Sequence, residues 1–186
     1  IYGVNSFFKT DMLLKDNKIT RDLFKKYISR KKVYHFQMLG FTKYSVDNYG
    51  SGGGWHRDSA NRRQLKFIIY LEDVDENNGC FQYLKGSHSI SKKLLLAKDN
   101  FFFSSKTRFD DNEINNFINR GTFQKVDFTG RKGTIIVVDT SGLHRGKPLT
   151  EGNRLALTYY MSDTKLPKKF SKYLQGPDKQ ATRIRF

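Results

Sequence analysis

Seven short runs constrain what this chain can fold into: "VYHFQML", "FTKYSVDNY", "LKFIIYL", "CFQYL", "TFQKVDF", "GTIIVVD" and "RLALTYYM". Each is rich in β-branched and aromatic residues, and Gly, Asn or Asp separates it from the next. That is the pattern of strands joined by tight turns. Asn78-Gly79 and the "TGRKG" of residues 129–133 carry turn chemistry. Such a series predicts a mainly β domain: a sandwich, a jelly roll or a barrel. A parallel sheet would need strands alternating with helices of about 10–15 residues, and the runs do not alternate that way.

Helix is expected at the flanks. In "ITRDLFKKYISRKK" (19–32) Leu23, Phe24, Tyr27 and Ile28 share one face, with Lys and Arg on the other. Thr20 is the expected N-cap. The stretch 89–121 interrupts the strand series as a partly helical insertion or lid, and the basic residues 162–186 read as a poorly ordered tail. The expected organisation is one domain over 1–186: a helical region at 1–32, a β core at 33–161 carrying the insertion, and the tail.

With 186 residues, 37% apolar and 15% aromatic, the chain can bury a core without covalent staples. Cys80 is its one cysteine, which rules out an intramolecular disulfide and suggests a reducing, cytoplasmic setting. A metal site would have to draw on His and carboxylates. No apolar run is long enough to form a membrane-spanning helix. The first residue is Ile1, which leaves a trimmed N-terminus open. The net charge of +16 favours anionic partners, although a Lys-rich composition alone would produce it.

The stretch "YGSGGGWHRDSANRRQ" (49–64) poses the functional question. It is no phosphate-binding loop, because no Gly-Lys-Ser/Thr and no helix follow the glycines. In an extended segment, residues i and i+2 point the same way. His56 and Asp58 therefore project together and Arg57 points away, giving two thirds of a facial triad for non-haem Fe(II). One such pair in isolation is more often an ordinary hydrogen-bonded pair. His35, His88 and His144 are the remaining histidines. His144 follows an apolar strand, where it can turn into a jelly-roll mouth. Arg154, ten residues later, could pair bidentately with a carboxylate, as a keto-acid cosubstrate requires. The plainer readings are a loop support for His88, a buried strand residue for His35 and core packing for Trp55 and Phe101–Phe103. Arg145 is a surface charge or a substrate clamp. The glycines make a slim approach to the mouth.

Taken in order, "WHRD", "IIYLEDVDENNGCFQYLKGSHS", "GTIIVVDTSGLHRGKP" and Arg154 resemble the phytanoyl-CoA dioxygenase family of Fe(II)/2-oxoglutarate oxygenases, over about residues 44–161. The resemblance implies a double-stranded β-helix (jelly roll, cupin-like), Fe(II) at His56, Asp58 and His144, and 2-oxoglutarate anchored by Arg154. Tyr44, Tyr49 and Gln64 are the expected further contacts to the cosubstrate. It also implies that O2 and 2-oxoglutarate are converted with hydroxylation of a substrate C–H bond and release of succinate and CO2. Asp58 fills the position a halide would need for halogenation. Lys85 stands where family members usually carry proline. The expected substrate is a small anionic molecule: an acyl-CoA, a phosphorylated or nucleotide-linked sugar, or a lipid component. Nucleic acid fits the charge, but no RNP-like motif or zinc-finger spacing supports it. The alternative is a non-catalytic jelly-roll module binding carbohydrate or nucleic acid.

Overall fold

The computed structural model describes residues 17–28, 33–47, 49–59, 63–91, 106–162 and 182–184. Two antiparallel sheets face one another. The larger has the order β5-β2-β7-β1-β8 and the smaller β4-β3-β6. The strands are β1 (Val33–Lys43), β2 (Leu65–Tyr70), β3 (Phe81–Lys85), β4 (Gln124–Phe128), β5 (Ile135–Asp139), β6 (His144–Gly146), β7 (Asn153–Ser162) and β8 (Thr182–Ile184). Helices α1 (Lys18–Ile28) and α2 (Asp111–Asn119) flank them. This is the jelly-roll architecture, one of the three that the strand series allows and the one that the family resemblance implies.

Three apolar layers hold the sheets. Between them lie Ile68, Tyr70, Ile136, Val138 and Ala156 of the larger sheet, with Phe81 and Tyr83 of the smaller. The outer face of the larger sheet packs Leu65, Phe67, Leu157, Tyr159 and Met161 against Ile28 of α1. Leu84 meets Ile114 and Phe117 of α2, together with Trp55, Phe109 and Leu143. Strand β2 is covered on both faces, which is why "LKFIIY" reads as a nearly continuous apolar run rather than an alternation.

Some details differ from expectation. Gly40 does not end the first strand: β1 continues to Lys43, with Gly40 paired to Ala156 in an unbroken antiparallel register with β7. Its nearest prospective Cβ contacts are at ordinary distances, so the strand runs through it without strain. Thr20 is not the N-cap of α1. The Asn17 side chain accepts from the amides of Ile19 and Thr20 at 2.9 and 3.3 Å, because the helix starts earlier and Thr20 is already inside it and buried. Leu23 is exposed rather than packed. Within the expected insertion, α2 is capped by Asp110, whose side chain accepts from the Glu113 amide while Glu113 bonds back to the Asp110 amide. Phe101–Phe103 lie outside the described residues. Residues 182–184, in the expected tail, pair with β1. Among the described residues no helix is long and apolar enough to cross a membrane.

Candidate metal centre

Residues 55–58 form an extended segment hydrogen-bonded on both sides. On one side the Arg57 amide donates to Thr107 O at 2.9 Å, and Phe109 donates to Trp55 O at 3.0 Å. On the other, His56 and His144 exchange amide–carbonyl bonds of 2.9 and 2.8 Å, and the Asp58 amide donates to Thr140 O at 2.9 Å. The extended backbone sends His56 and Asp58 the same way. The pairing brings His144, at the start of β6, directly beside them.

The three side chains offer ligand atoms within 4.8 Å of one another. Asp58 Oδ1 lies 3.7 Å from His56 Nε2 and 3.9 Å from His144 Nε2. Each imidazole has its other nitrogen on a backbone carbonyl two residues upstream: His56 Nδ1 on Gly54 O and His144 Nδ1 on Gly142 O, both at 2.9 Å. A carbonyl only accepts, so Nδ1 carries the proton and the Nε2 lone pairs are left for a ligand. His144 Nε2 is fully buried with no hydrogen-bond partner. A buried polar atom left unpaired is costly, and a metal ion held between two imidazoles and a carboxylate would satisfy it.

The electrostatics suit that use. Burial, before any other influence, lowers the pKa of His144 to about 3 and also lowers that of His56, so both rings are neutral near pH 7. Burial alone would raise the Asp58 pKa. The Lys66 ammonium and His144 more than offset it, and the carboxyl is held well below the usual range. Lys66 itself is buried, with Nζ 2.6 Å from Asp58 Oδ2.

Arg154 is buried on β7, and its Nη1 donates to Gly79 O. Nη1 would also stand 3.2 Å from a Cβ placed on Gly146, two residues beyond His144. Its Nε is buried without a partner. The guanidinium is therefore held at the strand that bears His144, with its Nε unpaired. Of the other expected cosubstrate contacts, Tyr44 and Tyr49 are 46% and 76% exposed on the loop after β1. Gln64 is half-buried, and its backbone braces Asp139 and Thr140.

The glycines lie against this centre. Gly52 has φ +89°, and a Cβ there would overlap the His56 ring, coming within 3.0 Å of Nε2 and closer to Cε1. Gly50 has φ +81°, and a Cβ there would strike the carbonyl of Gly146. The loop thus wraps both imidazole-bearing segments at a distance only glycine permits. Other singled-out residues are structural. His88 Nδ1 meets Tyr83 Oη at 3.0 Å, and His35 is buried. Trp55 is core, with the Arg145 guanidinium 4.7 Å above its ring. Arg145 also binds Gln82 and Asp111 at 2.6 and 2.7 Å, so it points away from the centre.

Sequence reasoning missed Lys66. The signal was a lysine at an inward-facing position of the otherwise apolar "LKFIIYL", eight residues after Asp58.

A family model described as phytanoyl-CoA dioxygenase (PhyH) matches residues 6–156. No curated protein matches the chain in sequence. Among solved structures the chain is similar to EctD from S. alaskensis with bound Fe: TM-score 0.61, 16% identity, covering 95% of this chain and 59% of that one. It is also similar to SnoK, a non-haem α-ketoglutarate-dependent carbocyclase from nogalamycin biosynthesis: TM-score 0.55, 14% identity, covering 83% and 58%. HygX from Streptomyces hygroscopicus with iron bound gives a TM-score of 0.51 at 15% identity, covering 88% and 71%. The chain spans less than two thirds of the length of EctD and SnoK.

Proposed function

From the premise that the chain belongs to the phytanoyl-CoA dioxygenase family, we propose that it is an Fe(II)/2-oxoglutarate-dependent dioxygenase that hydroxylates a C–H bond of a small anionic substrate and releases succinate and CO2. The observation that carries this reading is the pair of neutral imidazoles whose Nε2 atoms converge with Asp58 Oδ1, His144 Nε2 being buried and unpaired. EctD and HygX, which share the fold, hold iron, and EctD has also been crystallised with 2-oxoglutarate.

In this reading His56, Asp58 and His144 hold Fe(II), which when bound supplies the binding of the keto acid and the activation of O2. The protein's own part is positional. The Gly54 and Gly142 carbonyls fix both imidazole tautomers and aim Nε2 inward. Arg154 offers a planar guanidinium to the distal carboxylate of 2-oxoglutarate, with its unpaired Nε as the available donor. Phe81, one of the apolar residues between the sheets, has its ring 5.5 Å from that of His144 and would screen that side of the site from water. The net charge of +16 supports an anionic substrate.

The experiment is anaerobic addition of 2-oxoglutarate to the Fe(II)-loaded protein. A weak visible absorption band is expected, followed on exposure to O2 by succinate formation. Absence of both Fe(II) and 2-oxoglutarate binding would overturn the assignment and leave the non-catalytic module as the better reading.

A further inference from the structure

Among the described residues of the centre, Lys66 is a feature that the triad and the keto-acid anchor do not account for. Placing an ammonium in a protein interior is costly unless it is paired. Here it lies at a fixed place: Nζ is 2.6 Å from Asp58 Oδ2 and 4.3 Å from the centre of the Tyr160 ring. Tyr160 is the cross-strand partner of Lys66, so the two side chains share the inner face of the larger sheet. The Tyr160 ring is stacked on Phe36 with centroids 4.3 Å apart and planes within 10°, and its hydroxyl meets Met38 Sδ at 3.7 Å. Lys66 thus rests on a braced aromatic platform and cannot swing away without losing both contacts.

The consequence is a division of the Asp58 carboxylate. Oδ2 is in ion-pair contact with Lys66 Nζ, while Oδ1 lies towards both imidazoles. A free carboxylate beside a metal ion can give one oxygen or two, and the second occupies a coordination position. The geometry points to Lys66 as a positioning residue that holds Asp58 to a single metal-donating oxygen and so keeps a position open for the keto acid. This inference rests on the metal reading proposed above and deepens it. It assigns Lys66 no contact with the substrate.

The test separates metal binding from keto-acid binding. Mn(II), which binds without turnover, is titrated calorimetrically into apo wild-type protein and into Lys66→Met, and 2-oxoglutarate is then titrated into each Mn(II) form. The expected result is a split. Lys66→Met holds Mn(II) within threefold of wild type, because Asp58 can now offer two oxygens, but binds 2-oxoglutarate at least tenfold more weakly. Lys66→Arg, which keeps the cation, recovers 2-oxoglutarate affinity to within threefold. Should Lys66→Met fail to fold, Lys66→Gln carries the same split, with at least a threefold loss for 2-oxoglutarate and none for Mn(II). Unchanged 2-oxoglutarate affinity, or a Mn(II) loss equal to or greater than the 2-oxoglutarate loss, overturns the inference and leaves Lys66 as packing. A wild-type protein that fails to bind Mn(II) overturns the metal reading itself.

Discussion

His56 and His144 are separated by most of the β core, yet each donates its amide to the other's carbonyl, at 2.9 and 2.8 Å. The two imidazoles are therefore set side by side by the backbone, with ring centroids 4.3 Å apart. Removing either ring leaves this pairing in place. The variants His56→Ala and His144→Ala should accordingly stay folded while losing Mn(II). The loss should exceed the roughly 10–100-fold typical for a group that only orients a ligand. His88→Ala, whose imidazole braces Tyr83 instead, should bind Mn(II) as wild type. Calorimetric titration of the three variants decides the matter.

Gly52 and Gly54 share a φ of +89°, but only at Gly52 would a Cβ meet the His56 ring, and at Gly54 it would meet nothing within 4 Å. Alanine at either position should cost about 1–3 kcal/mol of stability through backbone strain. Gly52→Ala alone should also weaken Mn(II) binding, by tenfold or more, because the displaced ring carries Nε2. Urea melts paired with metal titrations separate the shared effect from the specific one. Equal metal affinity in the two variants would contradict the packing described here.

The imidazoles also set a pH dependence. Both have pKa values pushed below the ordinary value, that of His144 to about 3, with burial the leading cause. In the unfolded chain they take up protons near pH 6.5, while the folded protein resists doing so. Their contribution to stability is therefore complete above about pH 6.5 and is lost as pH falls below it, for His144 down to about 3. Each ring adds a slope of up to about 1.4 kcal/mol per pH unit. Metal-free protein should show Tm falling steadily from pH 7 to 4.5, and His144→Gln should shallow that fall. A flat profile would mean the rings are charged or solvated. The depressed carboxyl of Asp58 acts lower, below its ordinary range near pH 3.9.

Arg154→Met removes the guanidinium expected to meet 2-oxoglutarate. Mn(II) affinity should be kept and 2-oxoglutarate affinity should fall at least tenfold. Arg154→Lys should recover little, because a point charge does not reproduce a planar fork. The comparison is made by titrating 2-oxoglutarate into each Mn(II)-loaded protein.

Tyr27 of α1 reaches across to the Asp139 carboxylate, which also accepts from the Ser141 and Gln64 amides at 2.8 and 3.3 Å. Asp139 thus ties α1 to both segments that carry the triad. Tyr27→Phe should lower stability by about 1.5–3 kcal/mol, the cost of one lost hydrogen bond to a charged acceptor. It should leave Mn(II) affinity within threefold. Urea denaturation with a parallel metal titration measures both.

Much of this arrangement was legible in the residues. The strand runs announced a mainly β domain, and the i, i+2 spacing of His56 and Asp58 is a local geometric fact that extended backbone preserves. His144 stood out by its place after an apolar strand, and it was the resemblance to the phytanoyl-CoA dioxygenase family that named it as the third expected ligand. What the chain did not reveal depends on contacts between distant segments. The pairing of His56 with His144 joins residues whose separation no periodicity encodes. Lys66 looked like one more lysine in a lysine-rich chain. Only the register with Tyr160 turns it inward beside Asp58. Tyr44 and Tyr49 lie within reach of His56 along the chain, and both side chains are exposed. Asn17 capped a helix that the hydrophobic pattern started a few residues late, because caps precede the periodic residues they serve.

The close seating of Gly52 on the His56 ring bears on how a catalyst of the proposed kind could be retuned. That flank of the triad is peptide, and at Gly52 peptide offers mutation no handle: there is nothing to trim, and a side chain added there collides with the His56 ring. Selection for a new substrate, natural or in the laboratory, would have to work from the opposite wall, leaving the glycine flank as a fixed reference against which other surfaces vary.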